Sequence, residues 1–177
     1  MTIAVIGAGR LGLDFALACV RAGHRVVLED VMPDKLRQAG VEFAELASSV
    51  EMVSTVEDAV ADADFAVDFV PDDLESKLEI WSLIDRMAPP RTVMCTPSEI
   101  LSITDLASCT YRQDRCVMVR GLFAPNGTLR VLTARATSEA TLTATSNLFR
   151  TLGHTIQSEH DPDLPMLLKN MNATVLS

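Results

Sequence analysis

The sequence predicts an α/β fold: a single domain built on a doubly wound, mainly parallel sheet. Three observations carry that expectation. Short apolar runs alternate with helical patterns along the chain. The runs, such as Ile3-Ala4-Val5-Ile6 and residues 65–70, lack polar alternation and suit strands buried on both faces. The first run passes directly into Gly7-Ala8-Gly9-Arg10-Leu11-Gly12, which opens an amphipathic helix.

Each element has a local reason. After the strand at 3–6, Leu11, Phe15, Ala18, Cys19 and Ala22 mark one helical face, and Gly23 closes the helix. Residues 25–28 form a second strand ending in Glu29-Asp30, which completes a βαβ unit. A short helix is expected over 33–38, 40–48 is ambiguous, and 52–54 and 56–61 read as a short strand and a short helix. Residues 65–70 form a strong strand. Residues 72–87 form a helix with Leu74, Leu78, Trp81 and Ile84 on one face, stopped by Pro89-Pro90. A strand at 92–95 and a helix at 103–108 follow. Strands at 116–122 and 129–133 flank the turn-rich Ala124-Pro125-Asn126-Gly127. A helix over 138–152, capped by Gly153, leads to a strand at 154–158. A terminal helix runs from Leu164 or Pro165 to Val175, so 1–163 reads as the domain and 164–177 as an appended helix.

Composition narrows the function classes. The chain has 177 residues, close to one ordinary domain. Its 24 Asp and Glu against 15 Lys and Arg give a formal charge of −9, which repels a phosphate backbone and argues against a nucleic-acid partner. No apolar run approaches a membrane span, and the N-terminus lacks a basic leader region. Cys19, Cys95, Cys109 and Cys116 show no CxxC spacing, and the three histidines form no metal-binding pattern, so no metal is expected. Reduced thiols fit a cytoplasmic protein.

The glycine loop carries the chemistry. Gly7 permits the tight turn, Gly9 lets backbone approach a pyrophosphate, and Gly12 lets the helix pack closely on the strands. The helix N-terminus offers N–H groups and partial positive charge to phosphates. Arg10 could touch a phosphate or lie on the surface, whereas Asp14 puts a carboxylate near the phosphate site. Asp30 stands 18 residues after Gly12, where a carboxylate takes the hydroxyls of an adenosine ribose. It would repel a 2′-phosphate, so the expected cofactor is NAD on a Rossmann-type domain.

Longer stretches strengthen this reading. IAVIGAGRLG, GHRVVLED, ADADFAVDFVPDDLESKLEIWSLIDRMAPPRTVM, LSITDLAS, TYRQDR and TSEATLTATSNLFRTLGHT follow one another in the order and spacing of a known domain. The chain resembles the N-terminal, NAD-binding domain of L-3-hydroxyacyl-CoA dehydrogenases. The resemblance implies NAD held by Gly7, Gly9, Arg10, Leu11, Gly12 and Asp30, with Val70 and Pro71 toward the nicotinamide side.

The departures fall on the acid/base positions. Where the family has a segment like SNTSSLSIT, counting back from LSIT puts Pro97 at its asparagine and Glu99 at its key serine. Where the family has GLHFFNP, its basic histidine falls on Gly121 or Arg120, depending on the direction of counting. The glutamate that orients this histidine falls at Thr133. The helical hairpin that touches coenzyme A and the C-terminal domain of the family are also expected to be missing. Glu99 is then the candidate replacement base, and Arg120 the candidate ligand for a substrate anion. His24, His154 and His160 are not expected to be catalysts.

The reading is an NAD-binding oxidoreductase acting on a hydroxy or keto group of a small molecule, either an acyl thioester or a hydroxy acid. Its alternatives are a catalytically silent NAD-binding module and a non-redox enzyme using Glu99. The apolar face of Leu164, Leu167, Leu168, Met171 and Val175 points to a homo-oligomer, a two-fold dimer foremost.

Overall fold

The computed structural model describes residues 1–124 and 126–161. The expected terminal helix from Leu164 or Pro165 to Val175, and with it the proposed oligomer face, lies outside the described residues. Eight strands form one sheet. They are β1 (Thr2–Ile6), β2 (Arg25–Glu29), β3 (Val50–Val53), β4 (Phe65–Asp68), β5 (Val93–Pro97), β6 (Cys116–Arg120), β7 (Thr128–Thr133) and β8 (Thr155–His160). The helices are α1 (Arg10–Arg21), α2 (Pro33–Glu42), α3 (Val56–Val60), α4 (Leu74–Met87), α5 (Ile103–Ser108) and α6 (Glu139–Thr151).

The strand order is β3-β2-β1-β4-β5-β6-β7-β8. All neighbours are parallel except β6 and β7, which run antiparallel. The order reverses between β1 and β4, and the crevice outside the carboxyl ends of such strands is where ligands bind in this architecture.

Strand alternation sorts the core into two layers. Ile3, Val5, Val26, Leu28 and Val67 face α1 and α6 through Phe15, Cys19, Leu148 and Phe149. Ala4, Ile6, Val27, Ala66 and Met94 face α3, α4 and α5 through Val60, Trp81 and Leu106. Both faces are covered, as the unalternating apolar runs predict. Phe15, Phe69, Phe123 and Phe149 pack with centroids 5.3–6.2 Å apart, and His154 stacks edge-on against Phe123.

Several boundaries differ from the sequence reading for identifiable reasons. Helix α2 continues past Gln38 to Glu42 because Ala39 and the following Phe43 are buried in the core. Strand β6 ends at Arg120, because Gly121 turns the chain with φ +120°. The expected caps are present: Gly23 (φ +84°) and Gly153 (φ +90°) adopt left-handed backbone after α1 and α6. Asp73 accepts the Ser76 N–H at 2.9 Å to start α4, and Ser138 accepts the Thr141 N–H at 3.2 Å to start α6.

Candidate dinucleotide site

The glycine loop joins β1 to α1 at the carboxyl edge of the sheet. Gly7 has φ +103°, which disfavours any side chain, and its N–H donates to the Glu29 carbonyl at 2.8 Å. A Cβ on Gly12 would collide with the Gly7 carbonyl oxygen, so helix and loop can approach this closely only through glycine. A Cβ on Gly9 would meet nothing within 4 Å, which leaves the loop's outer side open to a ligand. No side chain caps α1, so its first N–H groups face outward from Gly9.

Asp30 is 5% exposed and accepts three hydrogen bonds. The Ala8 N–H reaches Oδ2 at 2.9 Å, the Met32 N–H reaches Oδ1 at 2.9 Å, and Lys35 Nζ reaches Oδ2 at 3.1 Å. Burial alone would raise its pKa. The hydrogen bonds from Met32, Ala8 and Lys35 outweigh it and hold the carboxyl below its ordinary range. Asp30 is therefore an anion, as a ribose-binding carboxylate must be.

A cavity of about 780 Å³ opens between the glycine loop and the ends of β2 and β4. Gly7, Gly9, Asp30, Val70 and Pro71 line it, which brings five of the sequence-predicted residues to one place. Leu11 and Arg10 lie on the exposed side of α1, and Arg10 pairs with Asp14 at 2.9 Å. That pairing offsets the carboxylate expected to disfavour phosphate.

The other candidates gather at the carboxyl ends of β5 and β6. Glu99 Oε1 accepts the Gly121 N–H at 2.7 Å, and the Glu99 N–H donates to Asp72 Oδ2 at 3.0 Å. Arg120 Nε donates to the Ser98 carbonyl at 3.1 Å, and its Nη2 donates to the Leu101 carbonyl. Arg120 thus fastens the β5–α5 loop to β6. Beneath the edge, Lys77 Nζ donates to Asp68 Oδ1 at 2.7 Å and to the Pro97 carbonyl at 3.1 Å, while Trp81 Nε1 donates to Asp68 Oδ2 at 2.8 Å. Asp68 and Lys77 are 0% and 1% exposed, so this pair is structural support below the site.

The hairpin register places Thr133 opposite Val117, at the far end of β6 from the carboxyl edge. The residue directly across from Arg120 is Arg130, which pairs with Glu159 at 3.4 Å. A Cβ at Gly121 would lie 2.8 Å from the Thr128 carbonyl oxygen, so that position excludes a side chain in this backbone.

Lys35 and Glu29 are among the cavity residues that escaped the sequence reading. Lys35 comes from the first turns of α2 and neutralises Asp30. Glu29 is 3% exposed and also lines the cavity. A carboxylate at a fully buried strand position was the available signal for Glu29.

A model of the 3-hydroxyacyl-CoA dehydrogenase NAD binding domain matches residues 2–45 and 37–158 of this chain. The chain belongs to the 3-hydroxyacyl-CoA dehydrogenase family, through its NAD-binding domain. Mitochondrial hydroxyacyl-coenzyme A dehydrogenase of Sus scrofa is 29% identical, covering 90% of this chain and 59% of its own length. L-carnitine dehydrogenase of Burkholderia mallei is also 29% identical, over 86% of this chain and 52% of that protein. The crystal structure of 3-hydroxyacyl-CoA dehydrogenase from Archaeoglobus fulgidus superposes with a TM-score of 0.80 at 28% identity, covering 99% of this chain and 61% of that one. The chain therefore spans about three-fifths or less of the length of these relatives. NAD is the cofactor of this family domain, and the residues present fit it: an uncapped helix start, an open Gly9, a buried anionic Asp30 and a cavity joining them. Among the described residues no helix is long and apolar enough to cross a membrane.

Proposed function

We propose that this 3-hydroxyacyl-CoA dehydrogenase-like chain is an NAD-dependent oxidoreductase acting on a hydroxy or keto group of a small molecule, with an altered acid/base site. The observation that carries the proposal is the shared carboxyl edge. The glycine loop and Asp30 lie on one side of the switch point, and Glu99 lies on the other, tied to Gly121 and Asp72. NAD, when bound, supplies a two-electron hydride acceptor. Oxidation of a hydroxyl also releases a proton, and Glu99 is the candidate base at this edge. Position 120 carries a permanently charged guanidinium, and position 121 has no room for a side chain, so a histidine base has no place there. The names of the relatives cover both a thioester and a free hydroxy compound, which supports keeping both substrate classes.

One observation favours a second reading, a catalytically silent NAD-binding module. Glu99 and Arg120 both spend hydrogen bonds on backbone groups across the gap between the β5–α5 loop and the end of β6. Arg120 in particular holds the Ser98 and Leu101 carbonyls rather than facing a substrate.

The deciding experiment pairs NAD calorimetry with NADH formation on 3-hydroxyacyl-CoA esters and free 3-hydroxy acids. The oxidoreductase reading expects NAD binding, turnover of some member of the panel, and a loss of about 10²-fold or more in Glu99→Gln with NAD affinity retained. Binding without turnover across the panel supports the silent module. We further infer a cytoplasmic homodimer. Light scattering should give about twice the 19.2 kDa chain mass, and Leu167→Glu with Met171→Glu should return the monomer.

A further inference from the structure

Glu29 ends β2 inside the dinucleotide cavity, yet the site described so far gives it no role. It is 3% exposed, and its Oε1 is sealed from solvent with no hydrogen-bond partner among the described residues. A buried polar atom left unpartnered costs free energy, so a cavity residue that keeps one calls for a partner. Strand alternation turns Glu29 to the α3 side with Val27, whereas Asp30 turns to the glycine loop and accepts the Ala8 N–H. The two adjacent carboxyls therefore face different parts of a ligand. Ile6, Val31, Val56, Ile80 and Leu83 make the surrounding wall apolar, suited to a flat ring rather than to a sugar or a phosphate.

We propose that Glu29 turns its carboxyl from its sealed position toward the adenine ring of the dinucleotide and recognises it as a neutral carboxylic acid, its O–H donating to a ring nitrogen and its carbonyl oxygen accepting from the exocyclic amine. Adenine offers an acceptor beside a donor, and a carboxylic acid offers the complementary donor beside an acceptor. A carboxylate offers acceptors only and would leave the ring nitrogen facing a negative charge. The surroundings favour the neutral form. Burial pushes the Glu29 carboxyl up to about 7, Asp30 adds to this, and Lys35 on α2 opposes it. Glu57 on α3 and Glu79 on α4 bring further acidic groups to the rim. Strands β1 and β3 bring the uncharged Ile6 and Val53 alongside.

The proposal rests on NAD binding at the glycine loop, and calorimetry of the full chain separates the two claims. NAD, adenosine monophosphate and nicotinamide mononucleotide are titrated at several pH values in buffers of different ionisation heat. NAD and adenosine monophosphate should each take up about half a proton near pH 7, and their affinity should fall about tenfold or more between pH 6.5 and 8.5. Nicotinamide mononucleotide should take up none. Glu29→Gln, whose amide keeps a donor beside an acceptor, should bind NAD without proton uptake and with an affinity independent of pH. NAD binding to the unmutated protein without proton uptake would overturn the assignment of Glu29 while leaving the cofactor intact. So would a pH dependence that persists in Glu29→Gln. Failure of the unmutated protein to bind NAD at all would overturn the cofactor reading and this proposal together.

Discussion

The Asp30 carboxylate holds the Ala8 backbone N–H at 2.9 Å, so the acid that closes β2 also clamps the loop that leaves β1. Loop shape and the proposed ribose recognition are thereby coupled in one side chain. Lys35, 3.1 Å from the same oxygen, balances the charge. Asp30→Ala should weaken NADH binding by about 1–3 kcal/mol through the lost charge-assisted hydrogen bonds. It should also free Lys35 to meet a 2′-phosphate, so the preference for NADH over NADPH should narrow or invert. Parallel titrations of both dinucleotides check this. An unchanged preference would mean that Asp30 does not set it.

Gly12→Ala tests the closest approach in the loop. The added Cβ would collide with the Gly7 carbonyl oxygen, and backbone on both sides leaves no flexible neighbour to yield. The variant should lose about 2–3 kcal/mol of stability and most of its NAD affinity. Gly9→Ala, whose Cβ meets nothing within 4 Å, should keep its stability and lose affinity only. Thermal melts with and without NAD distinguish the two.

Lys77 and Asp68 form a buried ion pair, completed by the Trp81 indole N–H and the Pro97 carbonyl. Lys77→Met removes one charge and strands the other, which should cost about 3–5 kcal/mol. Replacing the pair together, Lys77→Met with Asp68→Asn, should recover part of that loss. Urea unfolding of the single and double variants measures the coupling.

Glu29 makes stability depend on pH in a definite direction. Its pKa is raised from the ordinary 4.5 to about 7 in the folded chain, so the folded state binds more protons than the unfolded state between these values. Stability therefore falls as the pH rises from about 4.5 to about 7, and stays lower above that. The penalty above pH 7 should amount to about 1–3 kcal/mol after allowance for solvent near the group. Glu29→Gln should melt several degrees higher than the unmutated protein at pH 8, with the difference shrinking toward pH 5. A difference that grows toward low pH would show that another group dominates.

Much of this protein was legible in one dimension. Unalternating apolar runs specify strands covered on both faces, because the requirement is local to each run. Gly7, Gly9 and Gly12 with Asp30 specify the dinucleotide loop, because turn geometry and helix start are properties of consecutive residues. Gly23, Asp73 and Ser138 mark helix ends for the same reason. Tertiary structure decided the rest. Counting along the chain assigns Thr133 to the role of partner for Gly121 or Arg120, but the antiparallel register of β6 and β7 sets Arg130 across from Arg120 and Thr133 beside Val117. Register depends on how a turn closes and what packs beneath it, neither of which residue counting contains. Arg120 reads as a free cation until the β5–α5 loop folds its carbonyls onto it. Glu29 reads as one more acid in an acidic chain. Only the packing of β1, β3 and α3 around it takes away the water that favours its charged form and so raises its pKa, and burial is a property of neighbours distant in sequence.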